Sequence, residues 1–220
     1  MKIKKEDLIL IIVGTLVSLL VFLIFSSQSS FEKGIAAAIK STVEISSSDS
    51  SEATGIIIKK GYVITNYHVV GNNNEKIQIT GYDNKLVDAK LIAYDEKLDL
   101  AILSFKNNHL PAIKLFDSDK LTLGQQVRTI GNAKGYGLAI NDGLVSSYTK
   151  IIRIQDVKRE VIQISVPIVE GDSGGPIINQ KGELVGMMSF KTINFINNST
   201  ESISFAIPSN IIKNFVDKNL

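Results

Sequence analysis

Three short segments carry residue types that together could perform acyl transfer. In Gly171-Asp172-Ser173-Gly174-Gly175-Pro176 a serine stands among glycines. Attack on a carbonyl needs a nucleophile beside backbone N–H groups aimed at the developing oxyanion, and a glycine two residues ahead of the serine lets the chain adopt that shape. Gly171 and Ser173 would supply those donors, while Gly174 and Gly175 keep side chains away from an approaching substrate. A serine alone is a weak nucleophile and needs a histidine base held by a carboxylate. His68 closes the run Tyr62-Val63-Ile64-Thr65-Asn66-Tyr67-His68, and Asp99 opens the apolar run Leu100-Ala101-Ile102-Leu103. Taken singly, the first is an ordinary tight turn, the second a core histidine and the third a turn aspartate. The order His68, Asp99, Ser173, with these neighbours, is what favours catalysis. His109, between Asn107-Asn108 and Leu110-Pro111, reads as a solvated loop residue and is given no role.

The elements that must position these residues are short β-type runs separated by Gly, Asn and Asp. Strands are expected at 54–58, 62–65, 76–80, 86–93, 100–104, 126–130, 144–148, 161–166, 184–190 and 202–207, which points to an all-β sandwich or paired barrels. Ile211, Ile212, Phe215 and Val216 recur at helical spacing behind Ser209, so a short C-terminal helix capped by Ser209 is expected.

The N-terminus is of a different kind. Lys2, Lys4 and Lys5 precede an uncharged run, 8–25, that as a helix at 1.5 Å per residue would cover roughly 27 Å, about the hydrocarbon thickness. Residues 1–7 are therefore expected as a cytoplasmic tail, 8–25 as a transmembrane signal anchor, 26–33 as a polar tether and 34–220 as the folded domain. The basic flank puts that domain outside the cytoplasm. A cleaved signal peptide is the rival reading, but no small-x-small cleavage site follows Phe25 directly. The Ser-rich stretch 46–51 reads as a surface loop.

Composition narrows the chemistry further. Of 220 residues 44% are hydrophobic and 21% charged, the profile of a folded chain. The 24 Lys and Arg nearly balance 22 Asp and Glu, giving a net charge of +2, too little surplus for a nucleic-acid partner. With no cysteine and two histidines, thiolate metal sites and disulfides are excluded, and a mechanism without metal or cofactor is favoured.

Taken together, these segments resemble those of the trypsin-like serine proteases, in particular the HtrA (Deg) family. The similarity runs over about 53–208. It includes Leu110-Pro111-Ala112-Ile113-Lys114-Leu115, Asp117-Ser118-Asp119, Gly124-Gln125-Gln126-Val127, Ile130-Gly131-Asn132, Gly143-Leu144-Val145-Ser146 and the closing Phe205-Ala206-Ile207-Pro208-Ser209-Asn210. The resemblance implies two six-stranded antiparallel barrels with the triad in the cleft between them, His68 and Asp99 from the first and Ser173 from the second. It also implies protein or peptide substrates and a homo-oligomer, a trimer in that family. Ala133 stands where the family commonly has proline and Asp172 where it commonly has Asn. Asp172 makes the loop read like that of the digestive enzymes, where resemblance implies an ion pair with a newly cleaved N-terminus; behind a membrane helix no such ammonium is expected. The chain stops about a dozen residues after Pro208, so control through a PDZ domain is expected to be absent.

The function expected is a membrane-anchored endopeptidase that cuts unfolded or exposed segments, in quality control or processing. The alternatives are a catalytically silent protease-fold binding module and a secreted toxin-like or glutamyl-specific protease of the same fold. For the specificity pocket, resemblance directs attention six residues before Ser173, where Pro167 replaces the aspartate of enzymes that prefer Lys or Arg. Ile168, Phe205, Ala206 and Ile207 are expected around the substrate, with 204–207 pairing to its backbone, so aliphatic residues are expected before the scissile bond.

Overall fold

The computed structural model describes the backbone of residues 4–46, 52–71, 76–106, 109–154, 157–196 and 199–220, and the side chains among these except 7–9, 24–31, 148–150, 153–154, 190–196 and 199–202. The expected loop at 46–51 lies almost wholly outside the described residues.

Two closed antiparallel barrels, each of six strands, make up the body. The first holds β1 (Thr42–Ser46), β2 (Glu52–Lys59), β3 (Tyr62–Thr65), β4 (Ile77–Thr80), β5 (Leu86–Asp95) and β6 (Leu100–Phe105), in the order β1-β2-β3-β6-β5-β4. The second holds β7 (Gln126–Gly131), β8 (Ala139–Ile154), β9 (Val157–Ile164), β10 (Pro176–Ile178), β11 (Leu184–Ile196) and β12 (Ser199–Pro208), in the order β10-β11-β12-β9-β8-β7. Closure pairs β1 with β4 and β7 with β10 and so removes the open edges.

Several strands read as unbroken apolar runs because both of their faces are buried. In β6, Ala101, Leu103 and Phe105 fill the first barrel, while Leu100 and Ile102 face a central cluster between the barrels. The same two-residue alternation splits Ile177 from Ile178 in β10 and Ala206 from Ile207 in β12. Into the central cluster α3 (Ser209–Asn219) sets Ile212, Phe215 and Val216. The expected cap is corrected here: Pro208 stands at the N-cap, and the Ser209 hydroxyl donates to the Phe116 carbonyl at 2.5 Å.

Helix α1 (Lys5–Lys40) is continuous. The stretch 26–33, expected as a tether, is part of it: it contains neither proline nor glycine, and beyond Gly34 the good helix formers Ala36, Ala37 and Ala38 carry the helix on. At Gly34 the helix meets the β10–β11 turn so closely that a Cβ would lie 2.7 Å from the Lys181 carbonyl carbon. Ala38 is buried in the central cluster, and Thr42 Oγ1 donates to its carbonyl at 2.9 Å as the chain enters β1. Among the described residues no helix is long and apolar enough to cross a membrane. Within 10–23 the large apolar side chains of α1 are nevertheless all exposed, on every side of the helix, and residues 8, 9, 24 and 25 of the expected span lie outside the described side chains.

Candidate active site

His68 and Asp99 sit at the ends of adjacent strands. After β3 the chain turns through Asn66 into the single helical turn α2 (Tyr67–Val70), which carries His68. Asp99 precedes β6 in the left-handed conformation (φ +58°), which Asp tolerates better than most residues. It is tied down by the Asn66 side-chain amide, which donates to the Asp99 carbonyl at 3.1 Å. His68 Nδ1 lies 2.9 and 3.0 Å from the two Asp99 carboxylate oxygens, and the His68 backbone N–H donates to Oδ1 at 3.0 Å. A ring nitrogen against a carboxylate bonds it as N–H, which leaves Nε2 as the acceptor on a half-exposed ring. Burial pushes the Asp99 pKa up, but the bonds from the His68 ring and backbone, its charge and the Ser189 hydroxyl outweigh it, and the carboxyl is held below the ordinary range.

Ser173 lies in the loop between β9 and β10. Gly171 has φ +93°, and a side chain there would collide with the Asn132 carbonyl oxygen, so only glycine fits. Among the described residues no acceptor takes the N–H of Gly171 or Ser173. The Ser173 hydroxyl donates to the Ser189 carbonyl at 3.4 Å. Asp172, buried, folds back on its own loop: its Oδ2 accepts the Val169 N–H at 3.0 Å and its N–H donates to the Val169 carbonyl at 3.1 Å.

The loop is fastened to the first barrel by one buried residue. Thr54 of β2 donates its N–H to the Ser173 carbonyl at 2.9 Å and its hydroxyl to the Gly171 carbonyl at 2.8 Å, and the same hydroxyl accepts the Asn132 N–H at 2.9 Å. Thr65 in turn bonds the Thr54 carbonyl at 2.8 Å.

Sequence reasoning missed four participants. Ser189 of β11 donates to Asp99 Oδ2 at 2.8 Å; its one signal is a hydroxyl interrupting the apolar run 184–190. Asn66 and Thr54 look like ordinary strand-end residues. Arg159 of β9 places Nη1 3.9 Å from Asp99 Oδ2, although it lies sixty positions past Asp99 in a stretch without signal.

The expected pocket needs correction. Strand β12 is hydrogen-bonded on both flanks, to β9 over 204–206 and to β11 over 199–208, so it has no free edge there for a substrate backbone. Ala206 and Ile207 face the second-barrel and central cores. Phe205 is buried too, and Ile168 packs in the second-barrel core with its N–H donating to Ser204 Oγ at 3.2 Å. The physical reason is closure: a strand in the interior of a barrel has spent both of its ladders. Strand β11, by contrast, bulges between Met188 and Phe190, which frees Ser189 from the ladder beside Ser173. Among the described residues no group of three or more His, Cys, Asp or Glu side chains is gathered to hold a metal ion.

Two six-stranded barrels presenting His, Asp and Ser from strand ends and loops define the trypsin-like class. The chain belongs to the trypsin-like peptidase domain family, whose profile matches residues 53–187. Among curated relatives it is 38% identical over 164 residues to a probable serine protease do-like of Buchnera aphidicola (73% of this chain, 34% of that protein). It is 37% identical over 169 residues to the periplasmic serine endoprotease DegP of Escherichia coli K12 (75% and 35%) and 36% over 192 residues to the serine protease Do-like HtrA of Bacillus subtilis (80% and 42%). Among solved structures it resembles the HtrA-type protease AlgW with tripeptide at TM-score 0.77 and 26% identity, covering 86% of this chain and 62% of that one. It is thus an HtrA-like domain, spanning between a third and a half of the length of these curated relatives.

Proposed function

We propose that this protein is a serine endopeptidase in which Ser173 attacks the scissile carbonyl, His68 is the base and Asp99 holds the imidazole. The observation that carries the reading is the His68–Asp99–Ser189 cluster, with the nucleophile loop bonded to the same Ser189. At rest the Ser173 hydroxyl donates to the Ser189 carbonyl; for attack it must instead donate to His68 Nε2. Nε2 takes the proton as Oγ bonds the carbonyl carbon, and the oxyanion forms between the N–H groups of Gly171 and Ser173. His68 then passes the proton to the departing amine, and the acyl-enzyme is hydrolysed by water through the same steps reversed. Peptide backbone pairs with the bulged edge of β11 at Ser189, so extended, unfolded or exposed segments are cut, in quality control or processing. The relatives' printed names support protein substrates and a place outside the cytoplasm. In this reading 8–25 anchors the chain in the cell membrane: a helix apolar on every side belongs in lipid or in a core, and 10–23 has no core around it. A homo-oligomer is proposed on family grounds alone.

The resting Ser173 rotamer also suits a silent binding module, so the test is chemical. The full chain should be labelled by a fluorophosphonate and should cleave unfolded casein, and Ser173→Ala or His68→Ala should each lower kcat on the order of a million-fold. An active Ser173→Ala enzyme, contamination excluded, would overturn the mechanism. Protease added to spheroplasts should digest the domain, and recovery of a soluble form starting near residues 26–30 would overturn the anchor.

A further inference from the structure

The Asp99 carboxylate has more partners than His68 and Ser189 alone. The guanidinium Nη1 of Arg159 stands 3.9 Å from Oδ2, on a side chain only 19% exposed. Arg159 lies on β9 opposite Ile152 of β8, so it belongs to a hairpin of the second barrel, and from there its Nη2 donates to the Glu96 carbonyl in the β5–β6 turn of the first barrel at 3.3 Å. Its Nε is buried without a hydrogen-bond partner. Burying a cation with an unmet donor is unfavourable, and the charge that offsets it is that of Asp99. Other titratable groups grouped around this turn are Asp95, Glu96 and Lys97 of the turn itself, Tyr67 of α2 and Tyr94 of β5, the two tyrosine rings stacked at 4.8 Å. From β11 comes the uncharged Ser189.

We infer that Arg159 is a positioning residue that sets the working pH of the proposed triad by sharing the Asp99 carboxylate with His68. The inference rests on the assignment of His68 as base. An imidazolium is stabilised by the carboxylate beside it, and a second cation on the same carboxylate withdraws part of that stabilisation. Removing the Arg159 charge should therefore leave the carboxylate to the imidazolium alone and move the onset of activity to higher pH. The same side chain ties the hairpin to the turn that carries Asp99, so the charge is held in place by both barrels.

The test uses the full chain in detergent, with two readouts. One is the acid limb of kcat/KM on a peptide substrate. The other is the pH titration of the His68 ring signal by NMR, told apart from His109 with a His109→Gln variant, which reads the effect even in an inactive protein. Arg159→Gln should move both upward by about half to one pH unit, which on the acid limb is a three- to tenfold loss of rate, and should leave the high-pH plateau within a few-fold. Arg159→Lys, which keeps the charge, should lie close to wild type. Arg159→Met, which keeps the packing stem without the charge, should repeat the Gln result and serves where Gln does not fold. Unmoved midpoints in Gln and Met, or equal shifts in Gln and Lys, would overturn the inference. Activity surviving in Ser173→Ala would instead strike the triad assignment and leave the His68 titration to decide the role of Arg159.

Discussion

Thr54→Val removes one hydroxyl and keeps the shape. In the structure that hydroxyl serves two backbone groups of different segments, donating to Gly171 O and accepting from Asn132 N–H, and all three residues are buried. Valine would strand both groups, each at about 1–3 kcal/mol, so the domain should lose roughly 2–6 kcal/mol. With about 2–4 °C per kcal/mol for a chain of this size, the thermal midpoint should fall by roughly 5–20 °C, and an ordinary reserve of about 5–15 kcal/mol leaves most of that range folded. The kinetic effect is the more telling one. The Gly171 carbonyl belongs to the peptide unit shared with Asp172, next to the Glu170–Gly171 unit that carries the Gly171 N–H; once it is released, the backbone at Gly171 can rotate and misaim that donor. Loss of one oxyanion donor costs about 10²–10³ in kcat with little change in KM. Steady-state kinetics below the new midpoint, beside calorimetry, separate the two effects. Thr54→Ser keeps the hydroxyl and should restore kcat while remaining slightly destabilised. A Thr54→Val enzyme with a lowered midpoint and an unchanged kcat would refute the argument and leave Thr54 a purely structural residue.

Other outcomes follow from the same geometry. Glu44, raised by burial and then by the neighbouring Glu52, is destabilising when ionised, so its stabilising neutral form is lost as pH rises through its folded pKa. Glu44→Gln, which keeps an acceptor for the Asn132 amide 3.0 Å away, should raise the thermal midpoint at pH 7 and change it little at pH 4; a gain of equal size at both would exclude an ionisation effect. Gly34→Ala puts a methyl against the backbone of Lys181 and Gly182, which cannot yield as a side chain would, so about 1–3 kcal/mol should be lost and amide exchange over 35–41 should quicken; unchanged exchange would show that the contact does not hold the helix. Cleavage profiling on a denatured proteome should show Lys and Arg disfavoured before the scissile bond, since Pro167 offers no carboxylate, and a dominant basic preference would disprove that reading.

What could be read from the sequence and what could not divide along a physical line. The strands of the two barrels were legible because each carries its own two-residue alternation or apolar run, and the missed ones, β1 and β10, are too short or too mixed to show it. His68, Asp99 and Ser173 could be proposed from the sequence because each stands in a local motif whose neighbours would serve the same chemistry. Thr54, Ser189 and Arg159 act on Gly171 or Asp99 across separations of 117, 90 and 60 positions, and nothing beside them in the chain records the partner. The substrate edge failed for the same reason: whether a strand such as 204–207 has a free ladder depends on its neighbours in the closed barrel, which its own residues do not specify. The proposed triad, drawn from two barrels, therefore depends on residues that fix one barrel against the other. Thr54 fastens the second barrel's nucleophile loop to the first, Ser189 joins the second barrel to the first barrel's carboxylate, and Arg159 repeats that join with a charge. Any motion that parts the barrels breaks all three joins at once, so the oxyanion donors and the histidine should lose their alignment together rather than one after the other.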